Sequence, residues 1–218
     1  MSALKKLLRG LLCAVLIVVC AAVVAVVAYL LVFRPWQLRW GATDEELERA
    51  MPGDDLVTNP DLDTTRGVTV DARPEDIWPW LVQIGHRRAG FYSYDRLDNA
   101  GVPSAERILP EYQDLKVGDK IPLDRVNHME VVVLEPPRVM LWNLPGRGFS
   151  WAWGLYPLDG RRTRLVTRIH MRYEWRFPRI LGYFVIDVGD FIMMRKCMLG
   201  IKRRAEGAAA GPEAGAEE

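Results

Sequence analysis

The chain has 218 residues, half of them hydrophobic, and a formal net charge of +1. That length supports one core of ordinary size plus an accessory segment, and so even a charge balance excludes the broad basic field that nucleic-acid binding requires. Cys13, Cys20 and Cys197 are too few and too scattered for a disulfide framework or a metal cluster, and none of the asparagines stands in an N-x-S/T acceptor.

From Leu11 to Phe33 no residue is charged, and about 23 residues as a helix reach about 34 Å, enough for a bilayer core of about 30 Å. A transmembrane anchor is the expectation. The competing reading is a signal peptide, since Lys5, Lys6 and Arg9 form a basic start, but the apolar run exceeds the usual length and no A-x-A site follows it. A lipoprotein site at Cys20 fails because Val19 is too large for the position before the cysteine. Tyr29, Trp36 and Trp40 suit an aromatic belt, and the basic residues at the N-terminal end slightly outnumber Arg34 and Arg39, which favours a cytoplasmic N-terminus with the rest of the chain across the membrane.

Thr43 followed by Glu46 forms a capping-box pattern, opening a short acidic helix that serves as a spacer and ends at Pro52-Gly53. A first strand is expected over 64–71, then a helix from Pro74 to Gly85, kinked by Pro79, with Ile77, Trp78, Leu81, Val82 and Ile84 on its apolar side. The segment that follows has no clean period beyond a short helix over 94–99. From Val117 the pattern turns to strands, over 120–123, 128–134, 138–144, 149–158 and 163–175, with Asp159-Gly160 as the strongest hairpin signal. In the last of these Leu165, Thr167, Ile169, Met171, Tyr173 and Trp175 alternate with Arg164, Arg168, His170, Arg172 and Glu174, so one face of the sheet reads as core and the other as solvated.

The run from Pro178 to Arg204 reads as one long helix. On a helical wheel Leu181, Phe184, Val185, Val188, Phe191, Ile192, Met198 and Leu199 fall in one arc, opposite Gly182, Gly189, Lys196, Gly200 and Arg203. Asp187 and Arg195 project toward the apolar arc, where each needs a partner on the sheet or a ligand. The low-complexity tail from residue 207 is expected to be disordered. An antiparallel sheet followed by one apolar-faced helix buries both only if the sheet wraps the helix, so the fold class is α+β and helix-grip. The expected organisation is an anchor over 1–40, a short helix and linker over 41–62, the helix-grip domain over 63–206, and the tail over 207–218.

The runs DARPEDIWPWLVQIG, RAGFYSYDRLDNAG, PSAERILPEYQDLKVGD and MLGIKRRAE resemble bacterial members of the START-like superfamily called SRPBCC, which groups polyketide cyclase/dehydrase and lipid transport proteins. The resemblance covers about residues 63–206 and implies a deep, largely apolar cavity between sheet and final helix. It implies no particular reaction, because this fold hosts carriers, sensors, cyclases and hydrolases.

The sequence contains no P-loop, G-x-S-x-G, H-E-x-x-H or C-x-x-C, and His86, His128 and His170 have no ligand spacing, so no cofactor, metal or nucleophile is expected. His170 reads as a surface residue and His86 as a partner of the preceding helix end. Asp95 and Asp98, three apart, share a face with Tyr94 nearby, and either form an acid pair at a cavity mouth, bind a cation, or serve local pairing. The residues expected to meet a ligand are Trp78, Tyr92, Tyr94, Asp95, Trp142, Trp151, Trp153, Met171, Tyr173, Phe184, Asp187 and Phe191, a set rich in the aromatic surface a lipid or other hydrophobic small molecule would meet. The expected partners are that molecule and a membrane, with no nucleic acid. A cyclase- or hydrolase-like enzyme using Asp95, Tyr94 or His86, and an interaction module with a filled interior, are the rivals.

Overall fold

In the computed structural model, which describes residues 3–174, 176–177 and 179–210, the apolar N-terminal run is helical, as its composition dictates. The chain divides into two units, Met1–Leu38 and Arg39–Glu218. In the first, α1 (Ala3–Ala28) passes through a π-helical turn, Tyr29–Phe33, into α2 (Arg34–Leu38). The turn has a local cause. Pro35 offers no amide and its ring would strike the carbonyl four residues back, and widening the helix so that the Arg34 amide donates to Tyr29 O keeps the chain helical. The helix therefore continues past the point where the apolar run ends. Among the described residues one helix, Lys5–Leu38 in extent, is long and apolar enough to cross a membrane.

The second unit is a six-stranded antiparallel sheet with a long helix on its inner face. Its strands are β1 (Leu62–Val70), β2 (Lys120–Pro122), β3 (His128–Glu135), β4 (Val139–Leu144), β5 (Phe149–Pro157) and β6 (Thr163–Met171), in the order β1-β6-β5-β4-β3-β2. The chain's first and last strands are thus neighbours. Between β1 and β2 lie α4 (Pro74–Val82), α5 (Asp95–Asp98) and a 3₁₀ turn at Pro110–Tyr112, while α3 (Asp44–Glu48) precedes β1 and α6 (Arg179–Ala210) follows β6. α6 packs against α4 and β1, and at 32 residues it is about 48 Å long. It continues through Ala210, so residues 207–210 of the expected tail are helical; the rest of that tail, residues 211–218, lies outside the described residues.

Period-2 alternation builds the inner face. Trp142 pairs with Trp151 across β4 and β5, and these two with Trp153 form a cluster whose ring centroids are 5.0, 5.2 and 6.1 Å apart. Edge-to-face and tilted contacts at such spacing suit aromatic quadrupoles. α6 closes on this face through Asp187, Phe191, Met194, Met198, Ile201 and Ala205, all buried and spaced three or four apart. That face differs from the expected arc: Val185 and Ile192 are exposed. The wheel averaged two segments of the helix with different neighbours. Gly200, placed by the wheel on the wet side, lies so close to Tyr92 that a Cβ there would stand 2.5 Å from Tyr92 O.

The outer face is not solvated, which corrects the reading of β6. Residues ahead of β1 lie over it, and Met51, Leu141, Ala152 and Val166 form a second, smaller core there. The strap is fastened by the arginines that had marked a wet face. Arg168 Nε donates to Thr65 Oγ1, Nη1 to Arg49 O and Asp54 Oδ2, and Nη2 to the carbonyls of Glu46 and Leu47, at 2.8–3.1 Å. All five donors of a guanidinium are used, partly on the orphan carbonyls at the end of α3. Thr43 and Glu46 form the expected capping box, and the Glu46 carboxylate also takes a bidentate pair from Arg164 at 2.7 Å. Burial by itself would raise the Glu46 carboxyl, but the Arg164 and Thr43 hydrogen bonds hold it below its ordinary range. His170, expected at the surface, is buried and stands 3.2 Å from Asp63.

Candidate functional site

Sheet and α6 do not meet along their whole length. Between them lies a cavity of about 860 Å³, within the range of small-molecule sites. Phe149 and Trp151 of β5 and Ile169 and Met171 of β6 form one wall, and Gly189, Met193, Met194 and Cys197 of α6 form the wall opposite. Phe91 supplies one end; Arg96, Leu97, Arg125, Val185 and Ile186 border the cavity where it opens, and all five are exposed. The walls are predominantly apolar and the arginines stand at the mouth.

The space exists because of what α6 carries. From Met194 onward its buried residues are large or tightly seated on α4, with Gly200 against Tyr92 setting the closest approach. One turn earlier Gly189 offers no side chain, and a Cβ there would meet nothing within 4 Å. The helix stands off the sheet at that level.

Of the residues expected to meet a ligand, Trp151 and Met171 border the cavity. Trp142 and Trp153 are buried beside Trp151 and support it without reaching the space. Trp78 is half-buried and packs against the core. Tyr92 is buried outside the cavity, donating to Trp80 O at 3.0 Å and accepting from Gln83 Nε2 at 2.8 Å; burial pushes its phenol well up. Tyr94 lies under Lys196, 3.8 Å from its ring centroid, and Asp95 accepts from Ser104 Oγ at 2.5 Å. Tyr173 stacks on Tyr183 at 4.0 Å. Asp187 and Phe191 are buried in the α6 interface, and Arg195, expected toward the apolar arc, is exposed and lies over Trp40 at 5.2 Å. The Phe184 side chain and Trp175 fall outside the described residues.

The polar end of the cavity is built from His86 and Asp98. His86 Nδ1 donates to Asp98 O at 2.9 Å, which fixes the neutral ring with its other nitrogen, Nε2, as acceptor. Of the Asp95/Asp98 pair it is Asp98 that borders the cavity. Burial pushes its carboxyl up and the Asp95 charge adds to this, with the Tyr94 amide and Ser93 hydroxyl only partly offsetting. His86 Nε2 and both Asp98 carboxylate oxygens are closed to solvent and have no hydrogen bond of normal geometry. Neither side chain can hand a proton to an occupant of the cavity without first turning. Cys197 is no nucleophile either, because complete burial pushes its thiol far up and the thiolate is the reactive form. Among the described residues no group of three or more His, Cys, Asp or Glu could hold a metal ion.

No family model matches the sequence, and no curated protein does. Among solved structures the chain is similar to a conserved protein of unknown function from Enterococcus faecalis, at 13% identity over 72% of this chain and 79% of that one, with a TM-score of 0.41. It is also similar to a polyketide cyclase-like protein from Corynebacterium glutamicum, at 16% identity over 72% and 97% with a TM-score of 0.38, and to CalU16 from Micromonospora echinospora, at 18% over 68% and 86% with a TM-score of 0.34. Likeness at this level carries no argument about ligand or activity. The chain's own strand order and helix placement define an α+β helix-grip fold, as the sequence led one to expect. It encloses a cavity between its sheet and its last helix.

Proposed function

We propose that the protein is a membrane-tethered binding protein for a hydrophobic small molecule or lipid. The observation that carries this reading is the apolar cavity of about 860 Å³ between α6 and the tryptophan-bearing strands. A volume lined by Phe, Trp, Ile and Met has little to offer a polar solute and removes apolar surface from water when filled. The N-terminal helix supports the tether: a ligand of low solubility partitions into the bilayer, and holding the cavity close by raises its effective concentration there. A filled interior, the mark of a pure interaction module, is not what α6 and the sheet enclose. The cyclase- or hydrolase-like alternative draws on His86 and Asp98 at one end of the cavity, but their functional atoms are shut away in this arrangement.

The test is native mass spectrometry of the full-length protein released from nanodiscs, with melting measured across a panel of lipids and apolar small molecules. Bound species that raise the melting temperature with concentration are expected. Met194→Trp, which fills the cavity from the α6 side, should abolish the shifts while the protein stays folded. A wild type that retains no ligand and shifts with none of the panel would sink the proposal.

A further inference from the structure

Asp190 places a carboxylate on the wall of this largely apolar space, about a third of the way along α6. Alone it would be strongly disfavoured there. Arg66 removes much of that penalty: its side chain is fully buried, and its Nη1 donates to Asp190 Oδ2 at 2.7 Å. The arginine faces inward because it sits on β1 opposite Thr167, between Thr64 and Val68, and strand alternation sends all of them toward the helix. Its guanidinium lies 5.7 Å from the centroid of the Phe191 ring. The pair as a whole is neutral.

One oxygen of Asp190 is engaged in this way. The other, Oδ1, accepts no hydrogen bond from a described residue, yet it is not closed off, since the side chain keeps 18% of its surface and borders the cavity. A carboxylate paired with a guanidinium presents acceptor lone pairs and no donor. An anionic ligand would meet like charge. A cationic one would bring into the cavity a charge that Arg66 has already balanced, at a cost in desolvation. What remains is a neutral donor.

We propose that Asp190, held by Arg66, is the polar anchor of the cavity and accepts the O–H of a hydrophobic alcohol or phenol. The inference rests on the ligand-binding reading above and names the chemical class that site would take. The bland alternative is that the pair only ties α6 to β1.

Three naphthalenes separate these cases: 2-naphthol, 2-methylnaphthalene, in which a methyl replaces the hydroxyl, and 2-naphthoate. Each is titrated calorimetrically into the full-length protein in nanodiscs, and each affinity is referred to its own partition into protein-free nanodiscs. 2-Naphthol should bind about tenfold or more above 2-methylnaphthalene, since the bond is made to a charged acceptor, and 2-naphthoate should bind weakest. In the double variant Arg66→Met with Asp190→Leu, which replaces both charges by apolar groups of similar size, the preference should vanish while 2-methylnaphthalene still binds. Equal binding of naphthol and methylnaphthalene to the wild type overturns the anchor and leaves the cavity reading standing, and that comparison needs no variant to fold. A preference that survives in the double variant also overturns it. No binding of any of the three removes both proposals.

Discussion

Replacing Gly200 by alanine tests the placement of α6 directly. An alanine in an exposed helix interior is worth about 0.8–1 kcal/mol over glycine, and the helical wheel put Gly182 and Gly200 together on the solvated side, so both substitutions would stabilise by similar amounts. The structure separates them. A Cβ at Gly182 meets nothing within 4 Å, whereas one at Gly200 would stand 2.5 Å from Tyr92 O and 2.8 Å from Tyr92 Cβ. Tyr92 cannot give way easily: its amide donates to Ser104 Oγ, its hydroxyl is held by Trp80 O and Gln83, and Arg204 lies 4.4 Å over its ring. Overpacking costs about 1–3 kcal/mol, and with a backbone oxygen in the way the upper end applies, so Gly200→Ala should lose about 2 kcal/mol net of its helical gain. At about 2–4 °C per kcal/mol for a unit of this size, it should melt about 4–8 °C below the wild type, and Gly182→Ala about 2–4 °C above it. Near-ultraviolet circular dichroism of the tryptophan cluster, followed against temperature in nanodiscs, reads both. A Gly200→Ala protein that melts at or above the wild type would show that α6 does not lie on Tyr92, and the standoff that makes the cavity would go with it.

Arg168→Met should release the outer strap, at a cost of about 3 kcal/mol for the carbonyls of Glu46, Leu47 and Arg49 left without a donor, and open the peptide bond after Arg49 to trypsin; unchanged digestion would refute the five-donor socket. Asp98 titrates above its ordinary 3.8 because it is buried, so in the folded state the neutral acid is favoured: stability is greatest below 3.8 and falls as pH rises through the folded value. Asp98→Asn should therefore melt above the wild type at pH 7, with the gap closing as the pH is lowered toward 3.8. Glu46 has the opposite sign, since its hydrogen bonds hold it below the ordinary 4.5: its contribution is complete above 4.5 and is lost as the pH falls through the lower folded value. Glu46→Gln should flatten that part of the acid limb of a melting-temperature profile.

Local rules were enough for most elements. The capping box at Thr43 and Glu46, the turn at Asp159, where the side chain accepts from the amides of Arg161 and Arg162, and the inward alternation of Trp142, Trp151 and Trp153 each depend on residues close in sequence or on strict period 2. The outer face failed for a physical reason. Arg164, Arg168 and His170 look the same in sequence whether water or another segment covers them, and the groups that take Arg168 lie up to 122 residues away. The cavity itself was expected from the resemblance, but its walls were only half legible. Aromatic residues were chosen for their surface area, and most of them serve as core; the space is bordered as much by Ile169, Met193, Met194 and Cys197, none of which carries a local signal. Asp190 escaped notice because its meaning depends on Arg66, 124 positions earlier.

The clasp ahead of β1 also has a mechanical meaning. Any tension on the chain from the direction of residue 38 arrives first at Trp40, whose carbonyl accepts from the Gly67 amide and whose ring meets Phe191 of α6, and then at the outer fastenings, Gly41, whose carbonyl is gripped by Arg164, and the sockets of Glu46 and Arg168. The outer fastenings sit on the convex side of the sheet, with the strands between them and the hollow. Such drag would therefore be shared between shear along β6 and, through Trp40, a pull on α6, the helix that forms one wall of the compartment.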